Sequence, residues 1–304
     1  LARPGYISAF ESGRLGEVAR ESRRQLGDCR LCARHCGVDR LKGKLGFCRT
    51  GERAVVSSAN PHFGEESPLV GRCGSGTIFF SRCNLLCTFC QNYDISHGGA
   101  GREVTDGELA GLMIDLQSIG CHNINLVTPS HVVPQILSAL RIAVEDGLRV
   151  PLVYNTGGYD TVETLRLLDG IVDIYMPDLK FMDRDVAIRL TGAEDYPEVV
   201  RAAIREMHRQ VGDLETNPDG VAERGLLVRH LVMPNDLNGI GEAMRFLSME
   251  ISPNTYVNVM DQYHPCYQAL DDPTLRRRIT PEEFTAAIET AAREGIRRLD
   301  GIRR

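Results

Sequence analysis

From about residue 76 onward, short β-prone apolar runs alternate with stretches whose apolar residues recur at helical spacing, about six times in succession. Strands are expected at 77–81, 123–127, 151–155, 171–176, 226–232 and 255–260. Helices are expected near 105–116, where Thr105 and Glu108 have capping-box spacing, and at 133–145, 161–168, 183–190, 198–211, 241–250 and 281–294. Strands separated by helices cross over to run parallel, so the pattern limits the chain to an α/β fold. The sheet is either open and doubly wound or a partial (β/α)6 barrel, and periodicity alone does not separate the two.

Both architectures gather active groups at the carboxyl ends of the strands. Here those ends carry Cys83, Cys87 and Cys90, then Thr128, Ser130 and His131, then Asn155 and Thr156. Further along they carry Asp178 and Lys180, Asn235 and Asp236, and Gln262, Tyr263 and His264. The opposite ends hold mostly Gly, Pro and simple polar residues. This asymmetry puts the cysteine loop in an active site.

Residues 1–75 lack the β/α rhythm. A polar helix is expected over 15–25, and 27–51 is too short of apolar residues to fold on burial alone, so a metal would supply what the core does not. The expected division is an N-terminal Cys-rich metal-binding extension, 1–75, packed as an accessory layer on a core of 76–304. The net charge of −6 argues against nucleic acid or an anionic membrane as partner. The Arg-rich stretches 276–278 and 297–304 read as solvated helix ends. No apolar run approaches the roughly 18 residues of a membrane helix, and a cytoplasmic protein is expected. The first residue is Leu rather than Met, so a removed leader stays open.

Ten cysteines occur in a chain with no tryptophan. About 300 residues bury enough core to fold without disulfides, and seven of the ten cysteines fall in two tight clusters, so they read as metal ligands. Cys83, Cys87 and Cys90 offer three thiolates on one loop, where a cubane iron–sulfur cluster normally takes four. Three leave one iron open to another molecule, as a catalytic zinc site leaves a position for substrate. A structural zinc site or free thiols are the alternatives. Cys29, Cys32, Cys36 and Cys48 offer four, which would close a site and imply a structural or electron-transfer role. An auxiliary [4Fe–4S] cluster and a tetrahedral zinc fit that spacing equally. Cys73 and Cys121 read as packing thiols. Cys266 reads as a buried thiol, with hydrogen-atom donation or substrate contact as the alternative.

The CxxxCxxC motif after a first strand, with Phe89 before its last cysteine, resembles the radical S-adenosylmethionine (SAM) superfamily. The stretches CTFCQNYDIS, PDLK, VRHLVMPN and QYH are similar to proteins related to the pyruvate formate-lyase activating enzyme, over about residues 76–265. The resemblance implies a partial (β/α)6 barrel with a [4Fe–4S] cluster on Cys83, Cys87 and Cys90. The open iron would bind SAM, and an electron from a flavodoxin- or ferredoxin-type donor would cleave it to methionine and a 5′-deoxyadenosyl radical. That radical would abstract hydrogen from substrate under anaerobic conditions. Phe89 would lie against the adenine, and Asp178, Lys180, Arg229 and His264 would lie at the cofactor, with Asn155 also at its site. Many relatives carry an acid after the second strand for the cofactor amino group. Residues 127–130 hold none, which leaves that role to Thr128, Ser130 or backbone carbonyls. The relatives include activases of glycyl-radical proteins, whereas the added N-terminal cysteines favour modification of a small molecule or peptide. A non-catalytic zinc-binding interaction protein is the reading from a different class.

Overall fold

The computed structural model describes residues 3–300. Its strands are β1 (Ala54–His62), β2 (Ser75–Phe80), β3 (Arg102–Val104), β4 (Ile124–Val127) and β5 (Leu152–Thr156). They continue with β6 (Ile174–Pro177), β7 (Glu215–Thr216), β8 (Ala222–Leu231), β9 (Tyr256–Met260) and β10 (Arg298–Leu299). The six strands read from sequence are β2, β4, β5, β6, β8 and β9. They lie side by side in that order, all parallel, and β10 adds a further parallel strand beyond β9. The sheet ends at β10 on one side and β3 on the other without closing, so the fold is a partial barrel.

The connecting helices form where local chemistry starts them. Thr105 caps Asp106–Ile119 through a capping box with Glu108, and Gly120 ends that helix at φ 103°. Thr161 and Asp183 cap Val162–Leu167 and Arg184–Thr191 by accepting the Thr164 and Val186 N–H groups. Val133–Glu145 is buried along most of its length, because helices Asp106–Ile119 and Arg14–Arg24 both pack against it. That N-terminal helix buries Leu15, Val18, Ala19 and Ser22, the helical spacing of one face. Fully buried side chains such as Ile78 and Leu126 contribute roughly 1.5–3 kcal/mol each.

Three features depart from the sequence reading. Residues 54–62 lie outside the β/α rhythm of the sequence, yet β1 pairs antiparallel with β2, and β3 pairs with β1. Only the first half of β1 is apolar, since an antiparallel edge can leave one face wet. A helix Gly5–Glu11 precedes the expected one. Arg298 lies in β10 rather than at a helix end and donates to the Leu214 carbonyl; residues 301–304 of that Arg-rich stretch lie outside the described residues. Among the described residues, no helix is long and apolar enough to cross a membrane.

Asp173, just before β6, ties the N-terminus to the sheet. Its carboxylate accepts the Gly5 N–H at 2.7 Å and the Leu152 N–H at 2.9 Å. Burial raises its pKa to about 6 against the opposing pull of those two donors. The folded value therefore exceeds the unfolded value of about 3.9. Stabilisation tied to this group is full below about pH 4 and is lost as pH rises through the folded value. Urea unfolding of the native chain is expected to show stability falling more steeply between about pH 4 and pH 7 than that of Asp173→Asn. Equal slopes would rule out titration of Asp173 in that window.

Candidate active site

The loop leaving β2 carries the three clustered cysteines. Arg82 and Leu86 hold left-handed backbone, at φ 74° and 54°, which folds the loop tightly enough to bring all three thiols to one cavity. Backbone and side-chain donors already face the sulfurs. The Leu85 N–H lies 3.3 Å from Cys83 Sγ, and the Ser96 hydroxyl lies 3.2 Å from Cys90 Sγ. Burial pushes the Cys83 and Cys87 thiols up, and for Cys87 the strongest opposing influence is the Lys180 ammonium.

Opposite the thiols, β5, β6 and β8 deliver a set of polar groups. The Asp178 carboxylate accepts from Lys180 Nζ at 2.6 Å and from Arg229 Nε at 2.7 Å. Arg229 Nη2 also donates to Asn155 Oδ1 at 2.8 Å. Burial alone would raise Asp178, but Arg229 and Lys180 outweigh it and hold the carboxyl below its usual range. Burial alone would strip the proton from Lys180, but Asp178 and then Cys87 outweigh it and hold the ammonium charged. The Tyr196 hydroxyl accepts the Lys180 N–H at 3.0 Å and bridges toward the Asp178 and Gly157 carbonyls. Gly158 has φ 79°, and a Cβ there would lie 2.7 Å from the Asp178 carbonyl, so only glycine fits this turn.

These groups wall a cavity of about 620 Å³, the size range of a cofactor or small-molecule site. Phe89 lines it, buried and edge-on to Phe181 at 5.9 Å. Thr128 lines it too, with φ 61°. For a β-branched residue that backbone is strained, a condition that concentrates at functional sites.

The N-terminal cysteines gather elsewhere. Cys29, Cys32, Cys36 and Cys48 surround a void of about 10 Å³. Gly46 is required there, because a Cβ would stand 2.8 Å from Cys36 Sγ. Burial, with Cys48 and Cys29 adding to it, pushes Cys32 up to about 12. Arg34, between Cys32 and Cys36, joins the two cysteine regions. Its guanidinium donates to the carbonyls of Asn84 (2.8 Å), Leu85 (3.3 Å), Thr191 (2.8 Å) and Gly192 (2.7 Å) and stacks on Phe47.

Residues 77–221 match the family described as the Radical SAM superfamily. An uncharacterized protein of Methanocaldococcus jannaschii is 34% identical over 276 residues, which cover 88% of this chain and 75% of that protein. The chain belongs to the radical SAM superfamily. Its fold is similar to that of a radical SAM methyltransferase from Sphaerobacter thermophilus, with a TM-score of 0.52 at 18% identity. The similarity covers 73% of this chain but spans only 64% of the methyltransferase chain. Membership in the radical SAM superfamily implies a [4Fe–4S] cluster and SAM.

The donor set fits that cluster. A cubane binds each thiolate to a different iron, and Cys83, Cys87 and Cys90 present three thiols around one cavity wall.

The other radical SAM site residues expected from sequence divide. Thr128, Asn155, Asp178, Lys180 and Arg229 line the cavity with Phe89. Ser130 does not; it is buried against the Thr156 hydroxyl at 3.0 Å. His264 stands one residue back, 3.2 Å from the cavity-lining Gln91, and Cys266 is also off the wall. His131 lies against the N-terminal void rather than the cavity, its Nε2 at 3.0 Å from the Ser81 carbonyl. Burial and then Arg40 lower it to about 4. Cys73 is exposed, not packed. Sequence reasoning missed Glu65, Glu66 and Asn258, which also line the cavity. A Glu–Glu pair in a polar segment has the composition of a solvated turn.

Removing Asp178 would leave two largely buried cations without their carboxylate. Asp178→Ala is expected to cost roughly 3 kcal/mol in denaturant unfolding, and a loss under about 0.5 kcal/mol would show that the cluster is solvated. Arg34→Ala strips the donor from four carbonyls and is expected to cost roughly 1–3 kcal/mol in the same assay.

Proposed function

We propose that the chain is an activating-enzyme-like radical SAM oxidoreductase that abstracts hydrogen from a substrate held in the cavity. The observation that carries this reading is the convergence of Cys83, Cys87 and Cys90 on one cavity opposite the Asp178–Lys180–Arg229 set. When bound, the cluster and SAM supply the low-potential electron and the 5′-deoxyadenosyl radical. The three thiolates would hold the cluster, and a flavodoxin- or ferredoxin-type protein would reduce it. Lys180 and Arg229, both kept charged, would hold a carboxylate by charge-assisted hydrogen bonds. Asp178 and Asn155 would fix the guanidinium plane of Arg229, and Phe89 would offer the adenine a buried face. The cavity walls would keep water and oxygen from the radical.

A protein substrate activated at a glycine is the first reading of the target. Modification of a small molecule or peptide is the second, supported by Cys29, Cys32, Cys36 and Cys48. Those four would hold an auxiliary zinc or [4Fe–4S] centre, mechanically coupled through Arg34 to the loop of the first cluster.

Anaerobic reconstitution followed by iron and sulfide counting tests both sites. About four irons per chain are expected if the N-terminal site takes zinc, and about eight if it takes a second cluster. Reduced protein with SAM is expected to release 5′-deoxyadenosine, and Cys87→Ala to lose it while Cys29→Ala keeps the first cluster. A colourless zinc protein that forms no 5′-deoxyadenosine would instead be the non-catalytic interaction protein. A glycyl doublet in electron paramagnetic resonance, on mixing with a candidate partner, would identify an activase.

A further inference from the structure

Cys73 and Cys121 belong to neither cysteine cluster. They stand at the amino ends of β2 and β4, whereas the cavity lies at the carboxyl ends of the same strands. The two segments run side by side there. The His122 N–H donates to the Gly74 carbonyl at 3.1 Å, and the Cys73 N–H donates to His122 Nε2 at 3.2 Å. Gly120 ends helix Asp106–Ile119 one residue before Cys121, and a Cβ on it would lie 3.9 Å from Cys73 Sγ and 4.0 Å from Cys73 Cβ. Cys121 in turn faces the start of β2, its Cβ 3.1 Å from where a Cβ on Gly76 would stand. Segments joined by such backbone hydrogen bonds are roughly 5 Å apart, inside the Cα separation that a disulfide spans.

Both side chains are free thiols, Cys73 exposed and Cys121 buried. Burial raises the Cys121 thiol, and the charge of Cys73 adds to it, so each sulfur lies in the field of the other. An exposed thiol beside a sheltered one suits an attacking and a resolving cysteine. We propose that Cys73 and Cys121 form a redox modification site, at which a low-molecular-weight disulfide such as oxidised glutathione installs a reversible Cys73–Cys121 disulfide. The Cys73 thiolate attacks one glutathione sulfur, the glutathione S–S bond breaks, and one glutathione leaves as its thiolate. The Cys121 thiolate then attacks the Cys73 sulfur of the mixed disulfide and expels the second glutathione. The two protein thiols lose two electrons, which reduce one glutathione disulfide to two glutathiones, and the thiol protons end on those. Capping Cys73 also removes the thiolate charge that disfavours ionisation of Cys121, so the first step eases the second. The new bond closes residues 73–121, the segment that contains the loop of Cys83, Cys87 and Cys90, and restricts that segment in the unfolded chain.

The test is incubation of the anaerobically reconstituted full chain with oxidised glutathione, then denaturation, alkylation of free thiols, tryptic digestion and mass spectrometry. Trypsin cuts after Arg72, Arg82, Arg102 and Arg141, so Cys73 and Cys121 fall in separate peptides, 73–82 and 103–141, with no other cysteine in either. The native chain is expected to yield these peptides joined and lighter by the thiol hydrogens, and dithiothreitol to separate them. Cys121→Ser is expected to hold glutathione on Cys73, and Cys73→Ser to leave Cys121 unmodified. The oxidised native chain is expected to unfold at higher urea concentration than the reduced one, a shift lost in Cys73→Ser. Glutathione retained on Cys73 of the native chain with Cys121 alkylated, or Cys73 joined to a different cysteine, would overturn the proposal. The peptide readout needs no turnover, so failure to form 5′-deoxyadenosine would sink the functional reading and leave this result standing.

Discussion

Asp178 sits where three strands must agree. Its carboxylate at the end of β6 holds Lys180 two residues on and Arg229 from β8, and Arg229 in turn reaches Asn155 of β5. Two cations withdrawn from water at this depth are tolerable only with such a partner. The parallel register supplies it, since Asp178 bridges Arg229 and Arg229 aligns with Asn258 across β8 and β9. A shift of one residue in any of these strands would turn its polar groups to the opposite face. The charged wall facing the thiols is thus a property of strand register.

The cysteine loop depends on that wall and on the N-terminal extension. Lys180 is the strongest influence favouring the thiolate of Cys87, and Arg34 grips the carbonyls of Asn84 and Leu85 inside the loop. The same guanidinium grips the end of helix Arg184–Thr191, whose Leu190 carbonyl accepts the Thr88 N–H. The loop is therefore held from both sides before any ligand arrives, which is how a reactive centre keeps its geometry. A metal at Cys29, Cys32, Cys36 and Cys48 would stiffen the segment that presents Arg34.

The sequence by itself determined the α/β class, the six parallel strands and the three-thiolate loop. Apolar periodicity and cysteine spacing are local signals, and they survive without knowledge of the partner elements. It also determined which strand ends carry polar chemistry, and Asp178, Lys180 and Asn155 reach the cavity as that pattern implied. Tertiary structure decided which of those ends point inward. Ser130 and His131 share a loop with Thr128 yet turn to the Thr156 hydroxyl and to the N-terminal void. It also decided that β1, polar along half its length, joins the sheet, because pairing with β2 satisfies its backbone whatever its side chains. Through that pairing the turn after β1 carries Glu65 and Glu66 into the barrel. Their burial comes from contacts with residues more than a hundred positions away, a distance at which no local pattern carries information.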